Sequence, residues 1–287
     1  MKKPSLLLFA IIAFTGAIAQ KLPNVQQTGL RAPADVKVDG KATEWGDKLQ
    51  ANNPTTELFY TIANDDNKLY LIAQTDVETV MNRIANGGIK LFIQKNGSKS
   101  DADALFIKYP YLEKGKRITI SFSNTRSVTI GNTIRFERAP IPSSPEEAEQ
   151  IADSLAKTNN KNLTRDLKWI YTNGITGVDS LLSVYNDNGI AAASAVDSKK
   201  VLTCEIAIDL KTLGLSAAKG NKFSYHLVVN GQPNKFSPIT PTIMGSTAAD
   251  GTPATAEQVK ATNDAMQARF APRGATTDFW GEYTLAK

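Results

Sequence analysis

The sequence predicts a mainly β protein, an antiparallel β-sandwich with one or two helical insertions. Three observations carry that expectation. Short runs of alternating apolar and polar residues recur along most of the chain, separated by turns rich in Asn, Asp and Gly. Helical spacing of apolar residues is evident in only one or two places. The clearest local structure is residues 58–75, LFYTIANDDNKLYLIAQT, two strands about an Asn64-Asp65-Asp66-Asn67 turn. Both faces of that hairpin are apolar, which places it inside a sheet and away from a wet edge.

The first 19 residues stand apart. Lys2 and Lys3 precede a short apolar run over 6–14, and Ala17-Ile18-Ala19 has the small-residue pattern of an export cleavage site. A signal peptide cleaved after Ala19 is expected, giving an exported protein, periplasmic or extracellular at the cell surface. The apolar run is shorter than the roughly 20 residues a spanning helix needs, and no later segment is long and apolar enough, so no membrane span is expected. Removing Lys2 and Lys3 from the 33 basic residues leaves 31 against 28 acidic ones, a net charge of +3. That slight excess, without a dense Lys/Arg stripe interleaved with aromatics, gives no reason to expect a nucleic-acid partner. Cys204 is the single cysteine, so no internal disulfide is available and the core alone must hold the fold. Export without a disulfide framework suits a bacterial envelope.

Residues 20–33 are polar, contain two prolines and show no period; they read as an N-terminal tether to a single domain over 34–287. A short strand is expected over 35–40, followed by Trp45, whose expected role is packing across a sheet end. After the hairpin, 76–86 reads as a short excursion and 89–94 as a strand. Residues 95–103 read as a polar loop with an Asn-Gly turn. Strands follow over 104–109 and 117–123, the latter with Ile118, Ile120 and Phe122 on one side, and 127–130 with 133–138 forms a hairpin.

Ser144 is a good N-cap, Pro145 a good first helical residue, and Glu146 and Glu147 complement the helix dipole. With Ala148, Ile151, Ala152 and Leu155 at helical spacing, they predict a helix ending within 157–162. Strands are expected over 167–172, then 181–185 and 190–196 as a hairpin about Asn186-Asp187-Asn188-Gly189. Residues 201–210 alternate most sharply, with Cys204, Ile206, Ile208 and Leu210 on the core side; Cys204 is therefore expected as a buried apolar residue. A helical turn over 211–215, a strand over 222–230, a long loop over 231–253, a second helix over 256–270 and a last strand over 278–285 complete the chain.

Four of these blocks are similar to family 9 carbohydrate-binding modules in the broad sense. Val38-Asp39-Gly40 with Glu44-Trp45 resembles an opening V-D-G-x-x-x-E-W, and residues 63–73, ANDDNKLYLIA, resemble the D-D-x-x-L-Y hairpin. Residues 204–215, CEIAIDLKTLGL, with Gly220 and Phe223 after them, resemble a strand and turn of the family. Residues 279–285, FWGEYTL, resemble its final strand. The resemblance implies a jelly-roll-like sandwich and, in characterised members, sugar binding by aromatic stacking. It places Trp45 and Trp280 within fold blocks, and the paired loop tryptophans of a well-known sugar-binding form have no match in this sequence.

Sugar rings offer apolar C–H faces to aromatic rings and hydroxyls to planar polar groups. The ligand-binding candidates are Trp169 and Tyr171, two apart in a strand and so on one face, and Tyr109 and Tyr111, which flank Pro110. The expected function is non-catalytic binding of a polysaccharide or oligosaccharide. The alternatives are a cell-envelope structural or interaction protein that kept the fold without sugar binding, a glycoside-active enzyme accessory, or a haem-binding sandwich using His226 with Met244 or Met266. One His and one Cys supply little material for a nucleophilic triad or a zinc site. No cofactor is expected. Asp65-Asp66 and Asp101 with Asp103 offer oxygens of the kind calcium takes, without EF-hand spacing.

Overall fold

A computed structural model describes residues 21–46, 49–123, 125–130, 133–138, 141–231, 255, 257 and 274–287. The expected signal peptide, Met244, Met266 and the helix over 256–270 lie outside or almost wholly outside these residues. The strands are β1 (Ala51–Asn53), β2 (Leu58–Asn64), β3 (Lys68–Thr75), β4 (Ile89–Gln94), β5 (Leu105–Tyr111), β6 (Thr125–Ile130), β7 (Thr133–Arg138), β8 (Trp169–Asn173), β9 (Leu181–Ser183), β10 (Ile190–Val196), β11 (Leu202–Asp209), β12 (Lys222–Val229) and β13 (Thr277–Thr284). The helices are α1 (Glu78–Gly87), α2 (Pro145–Asp166) and α3 (Leu210–Leu213).

Two antiparallel sheets form a sandwich. One has five strands in the order β1-β2-β3-β11-β10, the other six in the order β13-β12-β4-β5-β8-β9; β6 and β7 pair separately. One core lies between the sheets. Tyr60, Ile62, Leu69, Leu71, Cys204 and Ile206 meet Leu91, Ile107, Ile170, Tyr225, Leu227 and Phe279 within it. Their alternation along each strand is what turns a period of two into a buried face. Two tyrosine hydroxyls meet across this core: Tyr60 and Tyr225 are 2.9 Å apart, and the Gln26 amide donates to Tyr60 at 3.0 Å. Gly281 leaves room for that arrangement, because a Cβ there would strike the Tyr225 ring. Burial pushes the Cys204 thiol up to about 12, consistent with a packed apolar residue.

The expected hairpin is β2 and β3, and β3 lies in the interior of its sheet. Residues 21–33 are not a tether. The free edge of β2 would leave backbone groups unpaired, and this segment closes it. The Gln26 side chain, 4% exposed, accepts from the Ile62 amide and donates to the Ile62 carbonyl, both at 2.8 Å. Next along the edge, the Asn64 amide donates to the Leu30 carbonyl at 3.0 Å, and Ala32 donates to the Asn64 carbonyl at 2.9 Å. The Asn64 side chain ties in the C-terminal end, accepting from the Ala286 amide at 2.8 Å and donating to its carbonyl at 2.9 Å.

Other expectations are also corrected. Residues 35–40 form no strand, and the amides of Asp39 and Gly40 are taken by a side chain. Glu205 on β11 accepts from Asp39 at 3.0 Å and Gly40 at 2.8 Å through one oxygen, and from the Trp45 indole at 2.9 Å through the other. Residues 76–86 contain α1, which buries Val80, Met81, Ile84 and Ala85 on one side. Residues 117–123 form no strand of either sheet. Asn82 and Asn86 on α1 each donate to and accept from the backbone of Ile120 and Ile118 at 2.8–3.0 Å, and Asn159 on α2 does the same less closely at Ser121. Three side-chain amides thus take the place of a neighbouring strand while Ile118 and Ile120 enter the core. Helix α2 starts as predicted, with Ser144 Oγ accepting from the Glu147 amide at 3.2 Å, but runs on to Asp166 and buries Ala156, Asn159 and Leu163. The segments 181–185 and 190–196 do not pair with each other: β9 joins β8 in one sheet and β10 joins β11 in the other, so the chain changes sheets between them.

Glu205 is 2% exposed. Burial pushes its carboxyl above the usual range; the Trp45, Gly40 and Asp39 N–H groups oppose that rise. Replacing it strands three donors at once. Glu205→Ala is expected to lose about 2–4 kcal/mol of stability in urea unfolding, with a loss under about 0.5 kcal/mol showing that the residues before β1 do not depend on this carboxylate.

Candidate functional site

The outward face of the six-stranded sheet carries a row of stacked rings. The pairing of β13, β12, β4 and β5 sets Trp280 opposite His226, His226 opposite Phe92, and Phe92 opposite Phe106. Trp280 and His226 stack with centroids 4.4 Å apart and planes 9° apart, and His226 stacks on Phe92 at 5.5 Å and 28°. Phe92 meets Phe106 at 5.0 Å, Phe106 meets Tyr171 at 5.8 Å, and Tyr171 stacks on Tyr111 at 5.5 Å and 26°. From β13 to β8 the row crosses four interstrand steps, about 19 Å. Trp169 lies beside Tyr111 in register, and its indole N–H donates to Glu113 Oε1 at 3.1 Å. Glu113 is in turn held by Lys116 at 2.6 Å.

The two ends of the row differ. Residues 95–104 fold over the β12 end: Gln94 donates to the Ser100 and Ala102 carbonyls, Ser224 donates to the Gly97 carbonyl at 2.8 Å, and Asp101 reaches His226 Nδ1 at 2.9 Å. Phe92, Ala104 and Val228 are buried there as a small second core. At the β8 end, Phe106, Tyr111, Trp169 and Tyr171 stay partly exposed, and Leu181, opposite Tyr171 on β9, is 45% exposed.

Three of the four sequence candidates are therefore together, and one is not. Trp169, Tyr171 and Tyr111 share the outward face, whereas Tyr109 is 2% exposed in the core. A bulge separates the two tyrosines. The register passes from Lys108 opposite Tyr171 to Tyr111 opposite Trp169, so β5 spends three residues where β8 spends two. That extra residue turns Tyr111 outward where strict alternation would point it inward with Tyr109.

Sequence reasoning passed over Phe92, Phe106, Lys90 and Lys108. Their signal was present as alternation within β4 and β5, where Lys90, Gln94 and Lys108 mark the outward side, but Phe92 and Phe106 on that side are as apolar as the core residues beside them. Lys90 Nζ lies 4.9 Å from the Phe106 centroid and 5.5 Å from that of Phe92, and Lys108 Nζ lies 5.4 Å from that of Tyr111. These are cation–π distances. Another aromatic outside the expectations, Tyr185, is 76% exposed with Lys168 Nζ 6.0 Å from its ring.

His226 Nε2 lies 3.1 Å from Asp278, so with Asp101 both ring nitrogens face carboxylates and neither is free to take iron or a substrate proton. Trp45 is bound to Glu205 and meets Tyr70 edge-on at 6.0 Å, the packing role expected of it. Among the described residues, no group of three His, Cys, Asp or Glu side chains is placed to hold a metal ion, and no helix is long and apolar enough to cross a membrane.

Two clefts lie elsewhere. One of about 560 Å³ sits among turns at a sandwich end, lined by Asp187, Asp209, Lys95 and Lys211 with Gly174 and Gly189. It has no aromatic wall, and Asp209 is engaged by Lys68 at 2.7 Å. The other, about 530 Å³ and open, lies along α2 between Lys157, Lys161, Arg165 and Lys168. Neither offers a surface for stacking a sugar ring.

A scan against protein-family models finds no match to this chain, and a search of curated proteins finds none.

Three of the aspartates considered for calcium, Asp65, Asp66 and Asp101, have protein partners. Asp66 pairs with Arg31 at 2.8 Å, while Asp65 accepts from the Asn67 and Lys68 amides at 2.7 and 2.6 Å and from the Tyr70 hydroxyl at 2.7 Å. Burial acts to raise the Asp65 pKa, but the Tyr70, Asn67 and Lys68 hydrogen bonds and the Arg31 charge hold it below the ordinary value. A carboxyl held low stabilises the fold above its unfolded pKa, about 3.9. That contribution disappears as pH falls through the lower folded value. Asp65→Asn is expected to lower stability at pH 7 and to flatten the stability curve below about pH 4, as read by urea unfolding across pH; an unchanged acid limb would contradict this role for the turn.

Proposed function

We propose that this is an exported bacterial protein that binds carbohydrate without catalysing its conversion, and that the partly exposed end of the aromatic row is where the sugar stacks. The supporting observation is the group formed by Tyr111, Tyr171, Trp169 and Phe106 on the outward face of a rigid sheet. A group of rings held at fixed spacing by paired strands offers apolar surface to sugar rings with little ordering cost. Glu113, Lys90 and Lys108 border the rings and supply the charged hydrogen-bonding groups that sugar hydroxyls need. The single histidine has both ring nitrogens against carboxylates. The export expectation from residues 1–19 places the protein where polysaccharides occur.

A second reading is an interaction surface of the cell envelope. Leu181, exposed beside Tyr171, favours it, since an apolar residue flanking aromatics also suits a protein partner.

Trp169→Ala and Tyr171→Ala separate these readings from a packing role. In a screen of soluble plant, algal and bacterial glycans by affinity electrophoresis and calorimetry, the native protein is expected to retain at least one. Each variant should weaken that binding by roughly tenfold, about 1–2 kcal/mol for a lost stacking ring. Stability should fall by no more than about 1.5 kcal/mol, since both rings are partly exposed; a loss of about 3–5 kcal/mol is the mark of a core aromatic. Binding that survives both substitutions, or no binding to any glycan, would refute the proposal.

A further inference from the structure

Lys90 on β4 and Lys108 on β5 are directly opposite each other in the antiparallel register, on the outward face among the rings. Both are partly buried. Like charges directly opposite across a strand pair destabilise a sheet. The usual remedy is an intervening carboxylate, yet among the described residues neither ammonium has a carboxylate within ion-pair distance. Nearby acids are engaged elsewhere: Asp278 and Asp101 with His226, and Glu113 with Lys116 and Trp169. Burial, reinforced by the Lys90 charge, holds the Lys108 ammonium below the ordinary lysine value. The rings beneath them, Phe92, Phe106 and Tyr111, attract cations only weakly. The pair is therefore a concentrated positive charge, fixed on the same surface as the stacking rings and balanced by no carboxylate among the described residues.

From this placement, and resting on the carbohydrate reading above, we infer that the ligand is an acidic glycan: one anionic group, a uronate carboxylate or a sulfate ester, sits between Lys90 and Lys108 while a sugar ring stacks on Tyr171 and its neighbours. An anion there accepts charge-assisted hydrogen bonds from both ammonium groups and removes their mutual repulsion. Neutral glycans leave that repulsion in place. The cationic face of α2 has the charge without the rings, so it has no means of selecting a sugar.

The test uses the chain from Gln20 and three probe classes of similar length: oligogalacturonides, sulfated heparin fragments, and neutral cello- or manno-oligosaccharides. At least one acidic class is expected to bind about tenfold or more tightly than the neutral ones, with affinity falling as salt rises. Lys90→Gln and Lys108→Gln should each remove most of that preference, Lys108→Arg should retain more of it than Lys108→Gln, and Lys161→Gln on α2 should leave it unchanged. Thermal unfolding checks that each variant is folded. Carboxylate and sulfate are told apart by which acidic class binds. Equal binding of neutral and acidic glycans, lost in Tyr171→Ala, would overturn the acidic preference and leave carbohydrate binding standing. Acidic binding that is insensitive to Lys90→Gln and Lys108→Gln would overturn the site, and binding of none of the three classes would overturn both readings.

Discussion

Strands β3 and β11 are buried on both faces, and much of the chain is arranged to make that possible. One face meets the inter-sheet core. The other must be covered by something that also satisfies its polar groups, because an unpaired buried donor or acceptor costs more than a hydrogen bond returns. Glu205 meets this constraint. Its carboxylate, at the middle of β11, gathers the Asp39 and Gly40 amides and the Trp45 indole, and so fastens the segment before β1 over the sheet. Gly40 fits because a Cβ would strike the Ser194–Ala195 backbone of β10. Farther along, the Gln26 side chain and the Asn64 backbone close the part of the β2 edge that β1 leaves open, and the Asn64 side chain draws in the C-terminal end.

The six-stranded sheet solves the same problem differently. Its outward face is covered at the β12 end by residues 95–104, and toward β8 it remains partly open, with rings and lysines where the five-stranded sheet has covering backbone. The asymmetry gives the molecule one closed and one accessible face. At the β8 end the rings of Phe106, Tyr171 and Tyr111 contact one another while staying partly exposed. On the carbohydrate reading proposed above, such a surface would take a sugar ring, and its two opposed lysines would add a charge requirement.

Much of the fold was legible because alternation reports directly on a buried face: β2, β3, β4, β11, β12 and β13 all lie close to where the period of two puts them. What failed were features settled by side chains distant in sequence. Residues 117–123 alternate like a strand, yet Ile118, Ile120 and Ser121 are bound by the side chains of Asn86, Asn82 and Asn159, whose amides carry no periodic signal. Polar residues 21–33 looked unattached because they are held by the single Gln26 side chain and by a few backbone bonds to Asn64, which leave no periodic signal. Helix α1 was readable in the spacing of Val80, Met81, Ile84 and Ala85, but it is short and lacks a side-chain N-cap. For the site, Trp169, Tyr171 and Tyr111 could be named from sequence; the bulge that separates Tyr111 from Tyr109 could not, nor could the cross-strand meeting of Lys90 with Lys108.

The most direct measurement is a crystal structure of the protein soaked with a retained oligosaccharide. A sugar ring in contact with Tyr171 and Trp169, on the outward face of β5 and β8, is the predicted result. A sugar held instead in the cleft beside Asp187 and Asp209, or along α2, would contradict it and move the binding site away from the aromatic row.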